Sequence, residues 1–391
     1  LGRSFYQPNA PIAVAGIDTL IRRPDELATL LLQAKWWQTD EGHHLLVENK
    51  WGRGVAMMPN ARGLGWTATP MRADRKSLKA GAGGVYHDMV IGPRMRELIN
   101  QGHLCDYLIY GPPSDLDTSR VDISKTTGDY NQVQLRGAAH RSHIVGDVVQ
   151  SYLKWCPGLQ HVTFAIDVAM AEDHAAAFRQ AGVPAATLSE RTGAAERAKT
   201  LEEFENRTIR EIVNVDILGE GFDCPGIQAE SMARPTASYP LFEQQFCRCL
   251  RPDPARGKQF GIVIDHVGNV NGERGHGLPD APRLLTLDVP ERRPRSLEQP
   301  IRTCPNPDCF RIFEGYSLTC PYCGFKPEAQ AAARPEQVEG DLTLFSPELL
   351  KRLWDEAERL VSGDQALPVS AGPGAVIATQ RRQAELRSAQ L

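Results

Sequence analysis

The chain has 391 residues, of which 41% are hydrophobic and 24% charged, and its formal net charge is −4. This length suggests two or three domains of ordinary globular composition. The net charge excludes a general attraction to nucleic acid or acidic membranes, so such binding would need a local patch. No apolar run approaches the roughly 20 residues of a membrane-spanning helix. Four of the nine cysteines lie within residues 304–323, which favours a reducing compartment and one metal site over a disulfide framework.

Apolar periodicity predicts alternating strands and helices along most of the chain. The first block has predicted strands at 11–17, 63–70 and 106–113, and predicted helices at 23–37 and 95–104. The second block has predicted helices at about 131–155, 170–182, 193–207 and 240–250, and predicted strands at 161–167, 184–190, 210–218 and 258–267. Such alternation predicts parallel sheets with right-handed crossovers. Two blocks of it predict an α/β protein with two lobes.

The acidic segment DEGHH occupies residues 40–44. Asp40 and Glu41 can divide two tasks at a phosphate, because one carboxylate can hold Mg²⁺ while the other activates the attacking water. A solvated surface loop is the simpler interpretation when this segment is taken alone. Thr67 and Thr69 of the TATP segment lie at the end of the predicted strand 63–70 and offer two hydroxyl groups. Ligands of parallel sheets bind at the carboxyl ends of strands, where both segments are expected.

Two further segments suit phosphate chemistry in the second block. The glycine-rich stretch 217–226 could bring its backbone close to a ligand, and Asp223 within it could hold a ribose hydroxyl. Gln244, Arg248 and Arg251 are spaced i, i+4 and i+7, which predicts that they share one helix face. Arginines so placed can stabilise charge on a γ-phosphate; a solvated helix face is the alternative.

The order and spacing of these motifs together resemble the superfamily-2 helicases of DEAD/DEAH type. DEGHH resembles motif II, GWTATPMRAD motif III with its extension, GEGFDCP motif V and QQFCRCLRP motif VI. Residues 233–269 are similar to the second lobe of phage-type and RadD-like DNA-repair helicases, and some type III restriction subunits are similar too. The resemblance covers roughly residues 11–325.

The resemblance implies two RecA-like parallel-sheet lobes, an incomplete first lobe at 1–112 and a second at 129–270, joined by a linker at 113–128. It implies that Asp40 holds Mg²⁺, that Glu41 is the catalytic base and that His43 couples the nucleotide site to the TATP segment. Its remaining implied roles are nucleic-acid coupling by Thr67 and Thr69, nucleotide contact by Gly221 and Asp223, and completion of the catalytic site by Gln244, Arg248 and Arg251, with Arg251 as the arginine finger.

The sequence departs from the family pattern at several places, among them Gly219, where relatives often have threonine, and WWQT (36–39), which is more polar than the family's strand before the acidic motif. Gly42 replaces the usual alanine or cysteine, and Cys247 replaces a glycine of motif VI, which could perturb arginine placement. The phosphate-binding loop GxGK[ST], which cradles β- and γ-phosphates, does not precede the acidic segment. IAVAGIDTL (12–20) resembles a segment that follows that loop. We therefore expect residues upstream of Leu1 to be missing, with a natural loss of ATPase activity as the alternative. The chain as given is expected to bind ATP poorly.

Four clustered cysteines follow the second lobe after an irregular connector at 271–303. Their spacing is four, ten and two intervening residues, and two thiolate pairs suit tetrahedral Zn²⁺ at a closed structural site. Unrelated reduced thiols are the alternative. A zinc ribbon here, at 304–325, again resembles RadD-like and phage helicases, and a helical segment is predicted at 341–391. The ligands would be Cys304, Cys309, Cys320 and Cys323.

The resemblance implies an ATP-dependent DNA helicase or translocase acting in DNA repair, recombination or phage replication. Its implied cofactors are ATP, Mg²⁺ and Zn²⁺. Its implied partners are single-stranded or branched duplex DNA, more than RNA, together with recombination or repair proteins in a bacterial or phage-infected cytoplasm, and no membrane. Two alternatives stay open: a catalytically inactive, DNA-binding ATPase relic, and the motor subunit of a restriction complex.

Overall fold

The computed structural model describes residues 11–113, 115–124, 126–139, 142, 144–218, 224–271, 274–289 and 300–327. The predicted nucleotide contacts Gly221 and Asp223 lie outside these residues, as does the predicted helical segment at 341–391. All described residues belong to one compact unit.

The first part of the chain forms a small α/β segment. It contains α1 (Ile17–Arg22), α2 (Pro24–Gln33), β1 (Trp36–Thr39), α3 (Lys50–Ala56) and β2 (Arg62–Gly65). Strands β1 and β2 pair in parallel, from Trp36 opposite Arg62 to Thr39 opposite Gly65. Their carboxyl ends therefore lie side by side, which places the residues that follow them at one edge.

Two predictions for this segment were wrong. The apolar run 11–17 is not a strand; Ile12 and Val14 are exposed and no described residue pairs with them. An apolar run becomes a strand only where another strand accepts its backbone groups. The predicted helix 23–37 ends at Gln33, because Ala34 turns to an extended conformation. Trp36 and Trp37 then enter β1, consistent with the preference of aromatic residues for strands.

A six-stranded sheet dominates the rest of the structure. Its order is β3-β8-β7-β4-β6-β5, and every described pairing is parallel. The predicted α/β class is thereby confirmed. Its strands and the helices around it, in chain order, are α4 (Met95–Asn100), β3 (Asp106–Tyr110), α5 (Gln132–Ala139), α6 (Ile144–Trp155), β4 (His161–Phe164), α7 (Val168–Gln180), β5 (Ala185–Leu188), α8 (Ala194–Glu205), β6 (Glu211–Asn214), β7 (Ala229–Met232), α9 (Tyr239–Phe246) and β8 (Phe260–Asp265).

Both faces of this sheet are covered by helices, as parallel sheets require. One apolar cluster contains residues of α5, α6 and α7, and the other contains Phe204 of α8 with Phe242 and Phe246 of α9. Successive strand residues alternate between the clusters; in β6, Ile212 joins one and Val213 the other. This alternation follows from the two-residue repeat of a strand.

The sequence patterns differ from the sheet in three respects. The strand at 106–110, assigned above to residues 1–112, pairs with β8 and so forms an edge of the second-lobe sheet. Strand β7 was not foreseen, because its sequence AESM carries Glu230 and Ser231, both fully buried. Such buried polar residues hide a strand from apolar periodicity. The helix predicted over 131–155 is two helices, α5 and α6.

The four cysteines lie in a small ribbon, residues 300–327, which we call the cysteine ribbon. Two short strands, β9 (Ile301–Thr303) and β10 (Ile312–Glu314), pair antiparallel within it. Its own apolar cluster holds only Phe313 besides Cys304, Cys309 and Cys320. A core this small needs another source of stability.

Candidate active-site cleft and cysteine centre

The acidic segment and the TATP segment meet at the carboxyl ends of β1 and β2. The amide of Trp66 donates to the carbonyl of Thr39 over 2.9 Å, and the amide of Gly42 donates to the carbonyl of Trp66 over 2.7 Å. The imidazole Nδ1 of the buried His43 lies 2.9 Å from the hydroxyl of Thr67. The neighbouring strands thus bring together two motifs that are 24 residues apart in the sequence.

Glu41 occupies a turn with a constrained backbone. Its φ is 48° and its ψ is 49°, a left-handed conformation that costs a residue other than glycine of the order of 1 kcal/mol. Its amide donates to the carboxylate of Asp40 over 2.9 Å, and its own Oε2 lies 3.4 Å from Nδ1 of His43. Left-handed residues of this kind cluster at functional sites. The turn therefore brings the Glu41 carboxylate close to His43.

Tyr86 explains why Gly42 replaces the family's larger residue. The hydroxyl of Tyr86 donates to the carbonyl of Gly42 over 2.9 Å. A Cβ atom on Gly42 would lie 2.7 Å from that hydroxyl oxygen and 3.0 Å from Cα of Gly65. Burial raises the pKa of Tyr86 to about 12, so the hydroxyl stays a donor at neutral pH. The sequence patterns did not point to Tyr86, which belongs to none of the motifs.

Arg72 and Asp74 belong to the extension of the TATP motif, and together they hold the backbone of His43 in place. The guanidinium of Arg72 donates to the carbonyl of His43 over 2.8 Å and to both carboxylate oxygens of Asp74 over 2.8 and 2.6 Å. Burial would raise the pKa of Asp74, but the hydrogen bonds from Arg72 and from the Lys76 amide lower it below its ordinary value. Paired, charge-assisted hydrogen bonds of this type are strong and directional. Motif matching gave no role to either residue.

The predicted helix face of motif VI is not continuous. Helix α9 ends at Phe246, a 3₁₀ turn follows at Cys247–Leu250, and Arg251 is extended with φ −66° and ψ 131°. Pro252 follows Arg251, and a residue before proline is sterically driven out of the helical conformation. Arg251 therefore does not share one α-helical face with Gln244 and Arg248. Its role as an arginine finger stays a prediction.

Gln244 nevertheless reaches the cleft that His43 of the acidic segment lines. Gln244 lines it together with His43, Arg72 and Asp74. Arg248 is buried, which lowers its pKa, and repulsion from Arg251 lowers it further. Attraction to Glu41 is among the influences that favour its charged form.

The four cysteine sulfurs converge on one point. All four Sγ atoms lie within 4.8 Å of one another. The Sγ atoms of Cys304 and Cys323 are 3.6 Å apart, and those of Cys309 and Cys320 are 3.9 Å apart. A tetrahedral Zn²⁺ with Zn–S bonds of about 2.3 Å requires sulfur separations of about 3.8 Å. These two pairs are close to that separation, so the four residues remain our candidate ligands.

The parallel six-stranded sheet is flanked by helices, and His43 of the acidic segment and Gln244 of α9 line one cleft. A family model described as the helicase conserved C-terminal domain matches residues 148–253. A 51.5 kDa protein of a Lactococcus phage is 31% identical over 319 residues, which are 80% of this chain and 66% of that protein. The putative ATP-dependent helicase IRC3 of Saccharomyces cerevisiae is 26% identical over 290 residues, 71% of this chain and 40% of that protein.

The chain belongs to the superfamily-2 helicases, and its six-stranded sheet is the RecA-like C-terminal lobe. It spans less than two thirds of the length of these relatives. Among solved structures, a fragment of a putative HsdR subunit of a type I restriction enzyme from Vibrio vulnificus YJ016 is 18% identical. It matches 56% of this chain and 42% of that one with a TM-score of 0.45. No helix among the described residues has the length and apolar character needed to cross a membrane.

Proposed function

We propose that the protein is an ATP-dependent DNA helicase or translocase that hydrolyses ATP between its two lobes. The observation that carries this proposal is the cleft that is lined both by His43 of the acidic segment and by Gln244 of α9. These side chains come from segments about 200 residues apart, and their meeting requires the two parts of the fold to face each other. Relatives whose names describe putative ATP-dependent helicases support the same activity.

In the proposed reaction, Glu41 accepts a proton from the water that attacks the γ-phosphate. Asp40 is placed to hold Mg²⁺, which when bound neutralises charge on the phosphate oxygens. Arg248 and Arg251 stabilise the charge of the transition state from the second lobe, a contribution that in related chemistry is worth about 10³–10⁵ in rate. Gln244 completes the cleft. Gly221 and Asp223 remain proposed nucleotide contacts.

A chain of polar contacts offers a route from hydrolysis to nucleic-acid binding. Glu41 Oε2 lies 3.4 Å from His43 Nδ1, which lies 2.9 Å from the Thr67 hydroxyl. That hydroxyl accepts a hydrogen bond from the amide of Thr69 over 3.1 Å. A change of charge or position at Glu41 would therefore be felt at the backbone of the TATP segment. We propose that this segment passes the change to a bound DNA strand.

The test is ATP hydrolysis by the product of the complete reading frame, so that any upstream residues are included. Glu41→Gln should reduce DNA-stimulated turnover by about 10²–10⁴, the usual contribution of a general base, without abolishing DNA binding. Glu48→Gln is the matched control, because Glu48 is exposed on the same segment and should leave turnover unchanged. Equal turnover in the wild type and Glu41→Gln would refute the assignment. DNA binding without any ATP hydrolysis in the wild type would favour the non-catalytic module.

The proposed substrate is single-stranded or branched DNA, and the proposed setting is DNA repair, recombination or phage replication. The phage relative supports a bacterial or phage context. Zn²⁺ is proposed as a structural ion on the four cysteines, since their sulfur atoms converge and two pairs have separations close to those of a tetrahedral site. One zinc ion per chain, measured in protein purified without chelator, would be the expected result.

A further inference from the structure

The cysteine ribbon is docked on the edge strand of the second-lobe sheet. Strand β3 lies at that edge, with β8 on one side. On its other side, Tyr110 forms an antiparallel bridge with Arg311, and the amide of Gly111 donates to the carbonyl of Phe310 over 2.8 Å. Ile312 of the ribbon is buried in the same apolar cluster as Ile109 of β3. The ribbon therefore covers a sheet edge whose backbone groups would otherwise lack strand partners.

A stack of aromatic and cationic groups connects this edge to the metal-binding end of the ribbon. The ring of Trp155 stacks on Tyr110 with centroids 4.8 Å apart. The guanidinium of Arg311 lies 5.3 Å from the ring of Tyr110 and 4.6 Å from the ring of Tyr322, and it donates to the Tyr110 hydroxyl over 3.0 Å. Tyr322 stands between the last two cysteines in the sequence. Ligation of those cysteines would fix the position of Tyr322 over Arg311.

A second connection involves the segment between the first two cysteines. The ammonium of Lys154, at the end of α6, donates to the carbonyl of Pro307 over 2.7 Å. The same ammonium lies 5.2 Å from the ring of Trp155 and 5.9 Å from the ring of Phe310. The half with the first two cysteines thus contacts the second lobe directly, and the half with the last two reaches it through Arg311. A metal that joins the halves would hold both contacts at once.

The docked edge is also the start of the predicted interlobe linker. Gly111 directly follows β3, and the next two residues are prolines, which have no amide hydrogen to donate. A Cβ atom on Gly111 would lie 3.0 Å from Cδ1 of Ile312 and 3.3 Å from Oγ1 of Thr303. The backbone at 111 is therefore seated tightly against the ribbon. The amide of Gly111 is the last one before the linker whose hydrogen exchange can reveal this contact.

We propose that zinc, by joining the two halves of the cysteine ribbon, clamps the ribbon onto β3 and so fixes the point where the interlobe linker begins. Loss of the metal would release Tyr322 from Arg311, then the ribbon from the sheet edge, and then Gly111. This inference goes beyond the proposed ATPase activity but rests on the proposed zinc site. Its test therefore measures zinc and backbone protection separately, without nucleotide.

The experiment is amide hydrogen exchange of the full chain, compared before and after zinc removal by a chelator, with zinc quantified in both samples. We expect exchange in peptides covering 108–111 to rise about tenfold or more when zinc is removed, because a hydrogen bond and a cation–π contact are lost together. Peptides covering β4, at the centre of the sheet, should be unchanged. Equal exchange at 108–111 in both samples would overturn the proposal. Protein that contains no zinc before chelation would overturn the proposed zinc site, and with it this proposal.

Two tyrosine variants test whether the contact of Tyr322 with Arg311, and not zinc binding alone, protects the amide of Gly111. Tyr322→Ala removes the ring that stacks on Arg311 and should raise exchange at Gly111 about threefold to tenfold with zinc still bound. Tyr316→Ala removes a ring of the same ribbon that is 69% exposed and should leave exchange unchanged. Identical exchange in the two zinc-loaded variants would show that the ribbon does not act through Tyr322. The outcome does not depend on ATP hydrolysis, so failure of the proposed activity would be recognised independently.

Discussion

His174 gives the second lobe a pH dependence whose sign and size can be worked out. It is fully buried on α7, and neither ring nitrogen has a hydrogen-bond partner among the described residues. Burial lowers its pKa to about 4 from an ordinary 6.5, and repulsion from His161 acts in the same direction. The folded protein therefore keeps this imidazole neutral over a range in which the unfolded chain binds a proton.

A histidine with a lowered pKa costs stability on the acid side. Above pH 6.5 both states hold the neutral ring, and stability does not depend on this group. Between pH 6.5 and about 4 only the unfolded state is protonated, so the free energy of unfolding falls as the pH falls. A shift from 6.5 to about 4 corresponds to roughly 3 kcal/mol at the acid end. His174→Leu removes the titrating group and replaces it with an apolar side chain of similar size.

The assay is denaturant unfolding of the wild type and His174→Leu at a series of pH values from 7 to 4. Subtraction removes the contribution of groups that titrate alike in both proteins. The wild type should lose roughly 3 kcal/mol relative to His174→Leu over this range. Phe178→Leu, a substitution in the same buried helix face, is the control and should give a difference that is level with pH. A level difference for His174→Leu as well would refute the reasoning.

Three further predictions concern buried contacts. Gly42→Ala should lower the free energy of unfolding by about 1–3 kcal/mol. Adding Tyr86→Phe should recover part of this loss, because it removes the hydroxyl oxygen 2.7 Å from the new Cβ. Thermal unfolding of the single and the double variant measures both effects. Thr67→Val should lose the contact with His43 and lower DNA-stimulated ATP turnover about tenfold, with DNA binding kept, as measured in the same assay as Glu41→Gln. Burial raises the pKa of Glu230 well above its ordinary value, so Glu230→Gln should cost little at acid pH and become increasingly stabilising relative to the wild type as the pH rises, as seen in unfolding at pH 5 and 8.

The parts of the site that sequence reasoning could place follow from strand geometry. Asp40 and Thr67 both come just after predicted or observed strands, and parallel neighbours bring such ends together whatever the intervening chain does. The four cysteines could be placed by a second rule, because a tetrahedral zinc site requires their four sulfur atoms to converge. Both arguments rest on rules that depend on few residues. They therefore survive errors in the bounds of individual elements.

The parts that sequence reasoning missed depend on contacts between segments far apart. Tyr86 becomes important only because its hydroxyl reaches Gly42, 44 residues away. Strand β7 was hidden because Glu230, buried and facing Cys249, replaced an expected apolar residue. In each case the deciding interaction is absent from the pattern of the segment itself.

The placement of β3 changes how the two lobes must be connected. The chain leaves the TATP segment, contributes β3 to the second-lobe sheet, and only then enters the predicted linker. That linker returns to the first segment, since a Cβ on Gly128 would overlap the carbonyl of Ala73. The connector after the second lobe returns as well, because the carbonyl of Leu287 accepts from the amide of Leu78 over 2.8 Å and from the hydroxyl of Ser77 over 3.0 Å. Any opening of the cleft must therefore change or break contacts in several of the chain segments that pass between the two lobes. In our proposal, the ribbon on β3 fixes the first of these segments at the point where the linker begins.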